Sequence, residues 1–393
     1  MNRKIYRLIL CGSVIVCAGL FSFAGGTAKA PTFVIEPKYN FIAPFYEGIA
    51  VIKVDKLYGY VREDGTVLVD PKYVSVGDFD SGRAPVKVDG KWGFIDNKGV
   101  PVIKPIYDEV KTFSEGFAEV KSEEAWMFID VSGEFIFGHT FNETRKFSEG
   151  KAPVCVGEKW GYIDKQGRAI IKPQFDDAEP FSENTARIKI GDKWGMINDL
   201  GDIFVKPRFD EIGLFKEGMA LVVLKGKAGF INTKGEVVIA PKFSYFSSYP
   251  EMYIFSEGLA IYYDDNGKRG YIDSKGDVRI DPSFDGAKNF SEGLAAVSID
   301  GKWGYIDKTG SFVIPPQFGN AQEFSEGLAP VMEWTGYALG GWYYIDKTGK
   351  TIIDVEKSSF YKDDYATWAE PFSGGIAYVQ IGSKVGIIKY PSP

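Results

Sequence analysis

The sequence predicts an all-β protein built from about ten tandem three-stranded antiparallel units. Three observations support this prediction: a period of about 34 residues, three short motifs that keep the same register, and frequent Gly and Pro residues. A helix with this spacing would meet Gly or Pro in nearly every turn, so the period indicates strands and not helices.

Three motifs define the repeat. The string Phe-Ser-Glu-Gly begins at residues 113, 147, 255, 290 and 324, and variants of it begin at Phe45, Phe79, Phe181, Phe215 and Phe372. A Trp-Gly pair or a variant of it begins at residues 58, 92, 160, 194, 228, 269 and 303. A Pro-x-aromatic triplet begins at residues 37, 71, 105, 173, 207, 241, 282 and 316. Their common register indicates one repeated structural unit.

The unit from Phe290 to Asn320 shows the predicted elements most clearly. In order, they are a strand at 294–299, a hairpin at Asp300-Gly301, a strand at 302–306, a turn at 307–310 and a strand at 312–314 that ends at Pro315-Pro316. Short β-prone runs joined by Asp-Gly and Asp-x-x-Gly are typical of hairpins and type I turns. Each unit is therefore predicted to be a three-stranded meander.

These motifs resemble those of the WG-repeat family, over essentially all of residues 31–393. A typical unit has Phe147-Ser148-Glu149-Gly150, then Lys159-Trp160-Gly161-Tyr162-Ile163-Asp164, then Ile170-Ile171-Lys172-Pro173-Gln174-Phe175-Asp176. Met127 and Tyr343 replace the Gly of the pair, and Val385-Gly386 lacks the Trp. The resemblance implies a bacterial, often exported, interaction module and implies no particular reaction.

The Trp-Gly pair suggests how the units stack. A strand Gly lets a neighbouring unit's backbone or Trp approach closely, while the indole fills the layer in front. Propellers normally have four to eight four-stranded blades. Ten three-stranded units with uneven inserts therefore favour an open, twisted or superhelical array, with a β-propeller or two partial propellers as the alternative.

The first thirty residues have the layout of a secretory signal peptide. Arg3, Lys4 and Arg7 precede an apolar run at 8–23, and small residues lead to two candidate cleavage points, after Ala28 or after Ala30. The run is short for a membrane-spanning helix, and nothing comparable follows. We expect a secreted, periplasmic or cell-surface protein with no integral membrane segment after signal removal.

Charge and residue usage narrow the function classes. Removal of the leader shifts the formal charge from −7 to about −11, which disfavours nucleic acid as a partner. The single histidine, His139, and the single mature cysteine, Cys155, cannot supply a His-rich zinc cluster. Asp264-Asp265-Asn266-Gly267 resembles a calcium loop without its downstream Glu, so it is interpreted as a hairpin. No cofactor, metal or catalytic residue is predicted.

Repeated carboxylates are interpreted as structural. An Asp precedes a turn Gly in the same place in six units, at Asp96, Asp130, Asp164, Asp273, Asp307 and Asp346. An active site would occur once, so this repetition predicts that each Asp holds its own turn. The Glu of Phe-Ser-Glu-Gly is interpreted as a solvated residue at a repeated bend, with a charge ladder as the alternative.

Three aromatic inserts interrupt the period and are the features that occur only once. They lie near 245–254, 333–341 and 350–370. Inserts in repeat proteins often build the binding face. The sequence therefore predicts a non-catalytic extracytoplasmic binding or scaffold protein that recognises a protein, peptide or cell-envelope glycan. A structural envelope spacer and a carboxylate-dependent hydrolase remain alternatives. The candidate ligand-binding residues are Tyr245, Tyr249, Tyr253, Trp334, Tyr337 and Trp368.

Overall fold

A computed structural model describes residues 28–246, 253–334, 339–355 and 366–391. The strands form ten small antiparallel sheets, which follow one another along the chain as ten blades. The first strand, β1 (Thr32–Tyr39), does not belong to the first blade. Within the described residues, no helix has the length and apolar character needed to cross a membrane.

Blades 1 to 5 occupy the N-terminal half of the ring. Blade 1 contains β2 (Phe41–Ile42), β3 (Ile49–Val54), β4 (Leu57–Arg62) and β5 (Val67–Tyr73). Blade 2 contains β6 (Arg83–Val88), β7 (Lys91–Asp96) and β8 (Pro101–Tyr107). Blade 3 contains β9 (Glu109–Val110), β10 (Phe117–Ser122) and β11 (Ala125–Asp130). Blade 4 contains β12 (Glu143–Thr144), β13 (Lys151–Val156), β14 (Lys159–Asp164) and β15 (Ala169–Phe175). Blade 5 contains β16 (Asp177–Ala178), β17 (Thr185–Ile190), β18 (Lys193–Asn198) and β19 (Ile203–Phe209).

Blades 6 to 10 follow in the same order. Blade 6 contains β20 (Glu211–Ile212), β21 (Met219–Leu224), β22 (Lys227–Asn232) and β23 (Val237–Ser244). Blade 7 contains β24 (Leu259–Tyr263), β25 (Arg269–Asp273) and β26 (Val278–Phe284). Blade 8 contains β27 (Gly286–Ala287), β28 (Ala295–Ile299), β29 (Lys302–Ile306) and β30 (Phe312–Phe318). Blade 9 contains β31 (Asn320–Ala321), β32 (Ala329–Trp334), β33 (Leu339–Ile345) and β34 (Thr351–Asp354). Blade 10 contains β35 (Ala366–Ala369), β36 (Ile376–Ile381) and β37 (Lys384–Lys389).

The N-terminal strand closes the ring. β1 pairs antiparallel with β37 and so supplies the fourth strand of blade 10, with Thr32 opposite Lys389 and Tyr39 opposite Val385. Apolar residues of β1 and β37 form one buried cluster with Ile42, Ile52 and Val61 of blade 1. The protein is therefore a ten-bladed β-propeller. The expected open array is wrong and the closed alternative is confirmed, because blade 10 is completed by the opposite end of the chain.

The blade has one more strand than the predicted unit. A two-residue strand precedes the meander in most blades, as at β27, where Gly286 pairs with Ser298 and Ala287 with Val297. The last strand also continues through its prolines, because β30 runs to Phe318 with a register shift between Ile314 and Phe318. Pro315 and Pro316 are tolerated there because this strand is the free edge of its sheet.

The Gly of the Trp-Gly pair serves its own blade and not a neighbouring one. A Cβ on Gly304 would lie 2.5 Å from the Ile314 carbonyl oxygen and 2.7 Å from the Pro316 nitrogen, both in the fourth strand of the same sheet. The missing side chain therefore admits the register shift of the fourth strand. The predicted contact with the next unit's backbone is wrong, although burial of the Trp160 indole, 6% exposed, is confirmed.

Candidate functional site

Strand direction gives the propeller two different faces. Because successive strands of a blade are antiparallel, the turns after the first and third strands lie on one face, which we call the turn face. It carries the Phe-Ser-Glu-Gly and Asp-x-x-Gly turns. The hairpins between second and third strands and the crossings to the next blade lie on the opposite face, which we call the hairpin face.

On the turn face, the Phe-Ser-Glu-Gly turns join neighbouring blades. The Ser114 Oγ donates to the Phe147 carbonyl oxygen at 2.8 Å, and the Gly150 N–H donates to Glu115 Oε2 at 3.0 Å. The same Ser bond occurs at Ser148, Ser256, Ser291 and Ser325. The same Glu bond occurs at Glu47, Glu149, Glu217, Glu257, Glu292 and Glu326. The interpretation of this Glu as a merely solvated residue is wrong, since its carboxylate binds the next blade's backbone.

The repeated Asp residues hold their own turns, as predicted. Asp307 Oδ1 accepts hydrogen bonds from the Thr309 N–H at 2.8 Å and the Ser311 N–H at 3.1 Å. The Thr309 hydroxyl and these backbone donors lower the pKa of the Asp307 carboxyl. One oxygen of each such carboxylate is therefore used within its own turn.

The short first strands line the central channel. One cavity of about 430 Å³ is lined by residues of five successive blades, among them Tyr46, Asp78, Lys111, Arg145 and Glu179. Only the inner edge of a ring brings five blades to one cavity. The residue directly before the Phe of each Phe-Ser-Glu-Gly turn, which we call the ring position, lies in this inner segment. In blade order the ring positions are Pro44, Asp78, Thr112, Lys146, Pro180, Leu214, Ile254, Asn289, Glu323 and Pro371.

A buried carboxylate stands beside this cavity in blade 3. Glu119 is almost fully buried, Lys111 Nζ lies 3.1 Å from its Oε2, and neither oxygen has an aligned hydrogen-bond donor among the described residues. Burial raises the pKa of Glu119, and Lys111 only partly opposes this effect. In blade 5 the equivalent second-strand position is Arg187, opposite Met196 as Glu119 is opposite Phe128.

The structure separates the predicted ligand-binding aromatics. The Tyr245 and Tyr253 rings lie 5.1 Å apart, but Tyr253 is only 2% exposed and its hydroxyl donates to the Ser244 carbonyl oxygen. Trp334 is 42% exposed at the blade 9 hairpin, whereas Trp368 is half-buried in β35. Tyr249 and Tyr337 lie outside the described residues. No ring contact among the described residues joins Tyr245, Trp334 and Trp368 to one another.

Histidine and cysteine take no part in a described site. His139 is exposed in blade 3, with its ring 5.0 Å from the Phe141 ring. Cys155 is buried in β13, and burial raises the pKa of its thiol. In the part of the chain that the structure describes, no group of three His, Cys, Asp or Glu side chains could hold a metal ion.

Sequence reasoning missed the channel wall. Arg187, Leu214 and Glu119 belong to it, and none of them was singled out by the three motifs. The available signal was variation at a fixed place: ring positions are polar or Pro in eight units and aliphatic in two adjacent ones, Leu214 and Ile254. The ring position belongs to none of the three motifs, because its residue type differs from unit to unit.

Comparison with known families decides the membership of the chain. The model of the WG containing repeat matches nine consecutive segments, at residues 29–58, 58–92, 92–124, 126–160, 160–194, 194–227, 229–268, 270–303 and 303–333. The chain belongs to the WG-repeat family. No curated protein matches it at the sequence level.

Solved structures with similar architecture are distant from this WG-repeat chain in sequence. A eukaryotic initiation factor has a TM-score of 0.45 and 10% identity, with 88% of this chain and 100% of that chain covered. The C-terminal WD40 domain of Sif2 has a TM-score of 0.35 and 11% identity, covering 93% and 100%. BamB from Moraxella catarrhalis has a TM-score of 0.32 and 11% identity, covering 93% and 98%.

Proposed function

We propose that this propeller is a non-catalytic binding protein that acts outside the cytoplasm and holds its ligand on the hairpin face. One observation carries the proposal. The three inserts fall at the crossing from blade 6 to blade 7, at the blade 9 hairpin and at the crossing from blade 9 to blade 10. Because strand direction alternates, the strand ends from which the three inserts leave, at Ser244, Trp334 and Asp354, lie on the hairpin face. This common side supports a ligand site on the hairpin face.

Described aromatic side chains on this face are suitable contact points. Trp334 extends from blade 9 toward blade 8, where Lys302 Nζ lies 5.6 Å from the indole centroid. Phe246 is 43% exposed and packs against the Tyr263 ring at 4.8 Å. Large, rigid aromatics with a partly exposed face anchor protein partners and stack on sugar rings at small entropic cost. A protein, a peptide or a cell-envelope glycan fits this chemistry.

The rest of the ring acts as the rigid support. Trp342 Nε1 donates to the Thr367 carbonyl oxygen at 3.2 Å, and the Tyr344 hydroxyl donates to the Glu370 carbonyl oxygen at 2.8 Å, so blades 9 and 10 are fixed to each other. Binding surfaces carried by loops on a rigid scaffold require little reordering when the ligand docks.

A binding screen tests this proposal. The mature protein is exposed to an array of bacterial envelope glycans and to a display library of random peptides, and any ligand is then measured against Trp334→Ala. The matched control is Leu200→Ala, because Leu200 is 77% exposed at a turn-face turn of blade 5. We expect at least about a tenfold loss of affinity, roughly 1.4 kcal/mol, for Trp334→Ala alone.

Three results would contradict the proposal. Affinity that survives Trp334→Ala but falls with Leu200→Ala would move the site to the turn face. Cleavage of a bound glycan, seen by mass spectrometry, would favour the hydrolase alternative. An absence of ligands in both screens would favour an envelope spacer.

We also propose export with cleavage after Ala28. Support comes from Lys29, whose N–H donates to the Ile352 carbonyl oxygen at 2.9 Å and whose carbonyl oxygen accepts the Asp354 N–H at 3.0 Å. A cut after Ala30 would remove this pairing with β34. The intact mass of the exported protein distinguishes the two sites, and retention of the uncut chain inside the cell would overturn the export proposal.

A further inference from the structure

Among the ring positions, large aliphatic side chains occur at one place only. Leu214 of blade 6 and Ile254 of blade 7 are adjacent, whereas the other eight ring positions carry polar residues or Pro. Leu214 is 53% exposed, which is a large exposure for a leucine. Exposed apolar groups that cluster usually mark a contact site.

These two residues line a cavity of about 550 Å³ at the junction of blades 5, 6 and 7. Its wall includes the buried side chains of Phe215, Leu221 and Tyr253. A volume of this size suits a small ligand, since sites for such ligands measure roughly 300 to 1,000 Å³. The shared apolar lining favours a ligand with an aliphatic or aromatic body.

One end of the cavity is cationic. The Arg187 Nη1 donates to the Ile212 carbonyl oxygen at 3.0 Å, but its Nε is buried and has no hydrogen-bond partner among the described residues. Lys216 lines the same cavity. The carboxylate of Glu211, also in the lining, accepts the Tyr245 hydroxyl. The guanidinium of Arg187 lines the cavity together with Lys216, and a ligand carboxylate would pair with it through a charge-assisted hydrogen bond.

The joint beside the cavity is also less tightly fastened than others. Ser182 and Glu183 begin the turn of blade 5, yet within the described residues neither side chain bonds the backbone of blade 6, whereas Ser148 and Glu149 of blade 4 both bond blade 5. Arg187 supplies one side-chain bond across this joint, and on the hairpin face the Asp210 carboxylate bridges Lys193 of blade 5 and the Lys225 N–H of blade 6. The space between blades 5 and 6 is therefore bordered by apolar groups and one incompletely paired cation.

We propose that this cavity binds a small apolar carboxylate, with the apolar body against Leu214 and Ile254 and the carboxylate on Arg187. A fatty acid and the C-terminal residue of an apolar peptide share this chemistry. The site is on the channel wall, and it does not depend on the hairpin-face proposal.

Calorimetric titration of the full mature protein tests the site with matched pairs of probes. The first pair is decanoate and decanol, and the second is N-acetyl-Leu-Leu with a free C-terminus and the same dipeptide as its amide. We expect at least one carboxylate to bind saturably and its uncharged partner to bind at least about tenfold more weakly, as a charge-assisted contact requires. Preference for decanoate indicates a fatty acid source, and preference for the dipeptide indicates a peptide end.

Variants locate the binding. Leu214→Trp fills the cavity from an exposed position and should reduce affinity at least about tenfold, while Leu200→Trp, an equal change at an exposed leucine far from the channel, should not. Arg187→Gln should remove the difference between acid and uncharged probe. The proposal is overturned if no probe binds at millimolar concentration, if acid and uncharged probes bind equally, or if Leu214→Trp leaves the affinity unchanged.

Discussion

The joint between blades 8 and 9 and the joint between blades 5 and 6 begin from nearly the same motif but are built differently. In the first, Ser291 Oγ donates to the Phe324 carbonyl oxygen at 2.6 Å, the Gly327 N–H donates to Glu292 Oε2 at 3.0 Å, and Lys347 Nζ lies 3.1 Å from that oxygen. The Tyr305 hydroxyl adds a bond to the Gln322 carbonyl oxygen at 2.8 Å.

The joint between blades 5 and 6 relies on apolar packing. Met196 stands where blade 8 has Tyr305, and it packs with Val205, Phe209 and Ile212 in one buried cluster. Among the described residues, the side chains of Ser182 and Glu183 make no bond to blade 6. Arg187 provides one side-chain bond across this joint, and the Asp210 carboxylate bridges Lys193 of blade 5 and the Lys225 N–H of blade 6. The ring is therefore not uniform, and the joint with fewer turn-face side-chain bonds borders the apolar cavity.

Substitution of the Gly in the Trp-Gly pair should have the largest effect. The effect should be equal in blade 5 and blade 8, because it disturbs the blade itself and not the joint to the next blade. Gly195→Val and Gly304→Val each place a Cβ about 2.5 Å from a fourth-strand carbonyl oxygen. We expect each to lower the free energy of unfolding by about 3 kcal/mol or more. Urea denaturation measures this, with Lys302→Val on the same strand as the exposed control. Unequal losses would mean that the two blades themselves differ.

The double variant Ser291→Ala/Glu292→Ala tests the joints directly. It removes the Ser291 and Glu292 side-chain bonds to blade 9 and should cost about 2 to 3 kcal/mol. The equivalent double variant Ser182→Ala/Glu183→Ala should change stability by less than about 0.5 kcal/mol, because those side chains bond nothing across the joint. Similar losses in the two double variants, measured by urea denaturation, would contradict the contrast between the joints.

The variant Tyr305→Phe removes only the hydrogen bond from the Tyr305 hydroxyl to blade 9. Removing the hydroxyl leaves the part-buried Gln322 carbonyl oxygen without this donor and should cost about 1 to 2 kcal/mol. Tyr107→Phe is the matched control, because Tyr107 is also buried but its hydroxyl makes no hydrogen bond among the described residues. Equal thermal shifts in the two variants would show that the ring and not the hydroxyl supplies the stability.

The smallest effect on stability is expected at Glu119, the charged second-strand residue of blade 3 on the channel wall. Burial raises the pKa of Glu119, so its charged form is disfavoured in the folded protein and folding becomes less favourable as the pH rises above the ordinary pKa of a Glu. Glu119→Gln should therefore increase stability by up to about 1 kcal/mol at pH 8. The gain should vanish near pH 4, where both side chains are neutral. A loss at pH 8 that persists at pH 4 would contradict this sign, and thermal unfolding across that range decides it.

Much of the blade could be predicted from the sequence because its causes lie within about 34 residues. The strand at 302–306, the Asp300-Gly301 hairpin and the Asp307 turn follow from β-propensity, positive φ at Gly and local side-chain bonds. The two-residue first strands could not be recognised, because a pair such as Gly286-Ala287 carries no strand signal of its own.

The candidate site was predictable only in part. The aromatic inserts were visible as breaks in the period, but burial of Tyr253 depends on its packing against Tyr245 and Tyr263, which the sequence does not specify. Leu214 can also be read from the sequence, but only the closed ring shows that this residue lies on the channel wall. An exposed leucine and a core leucine look the same in a sequence.

The sequence by itself determined the repeated unit, its turns and the family, because these depend on contacts between near neighbours in the chain. Only the tertiary structure decided that the units close. Closure requires ten inter-blade rotations to add to one full turn, and each rotation is set by packing and by bonds such as Ser291 to Phe324. It also requires β1 to meet β37 across the whole chain, a pairing that no local pattern encodes.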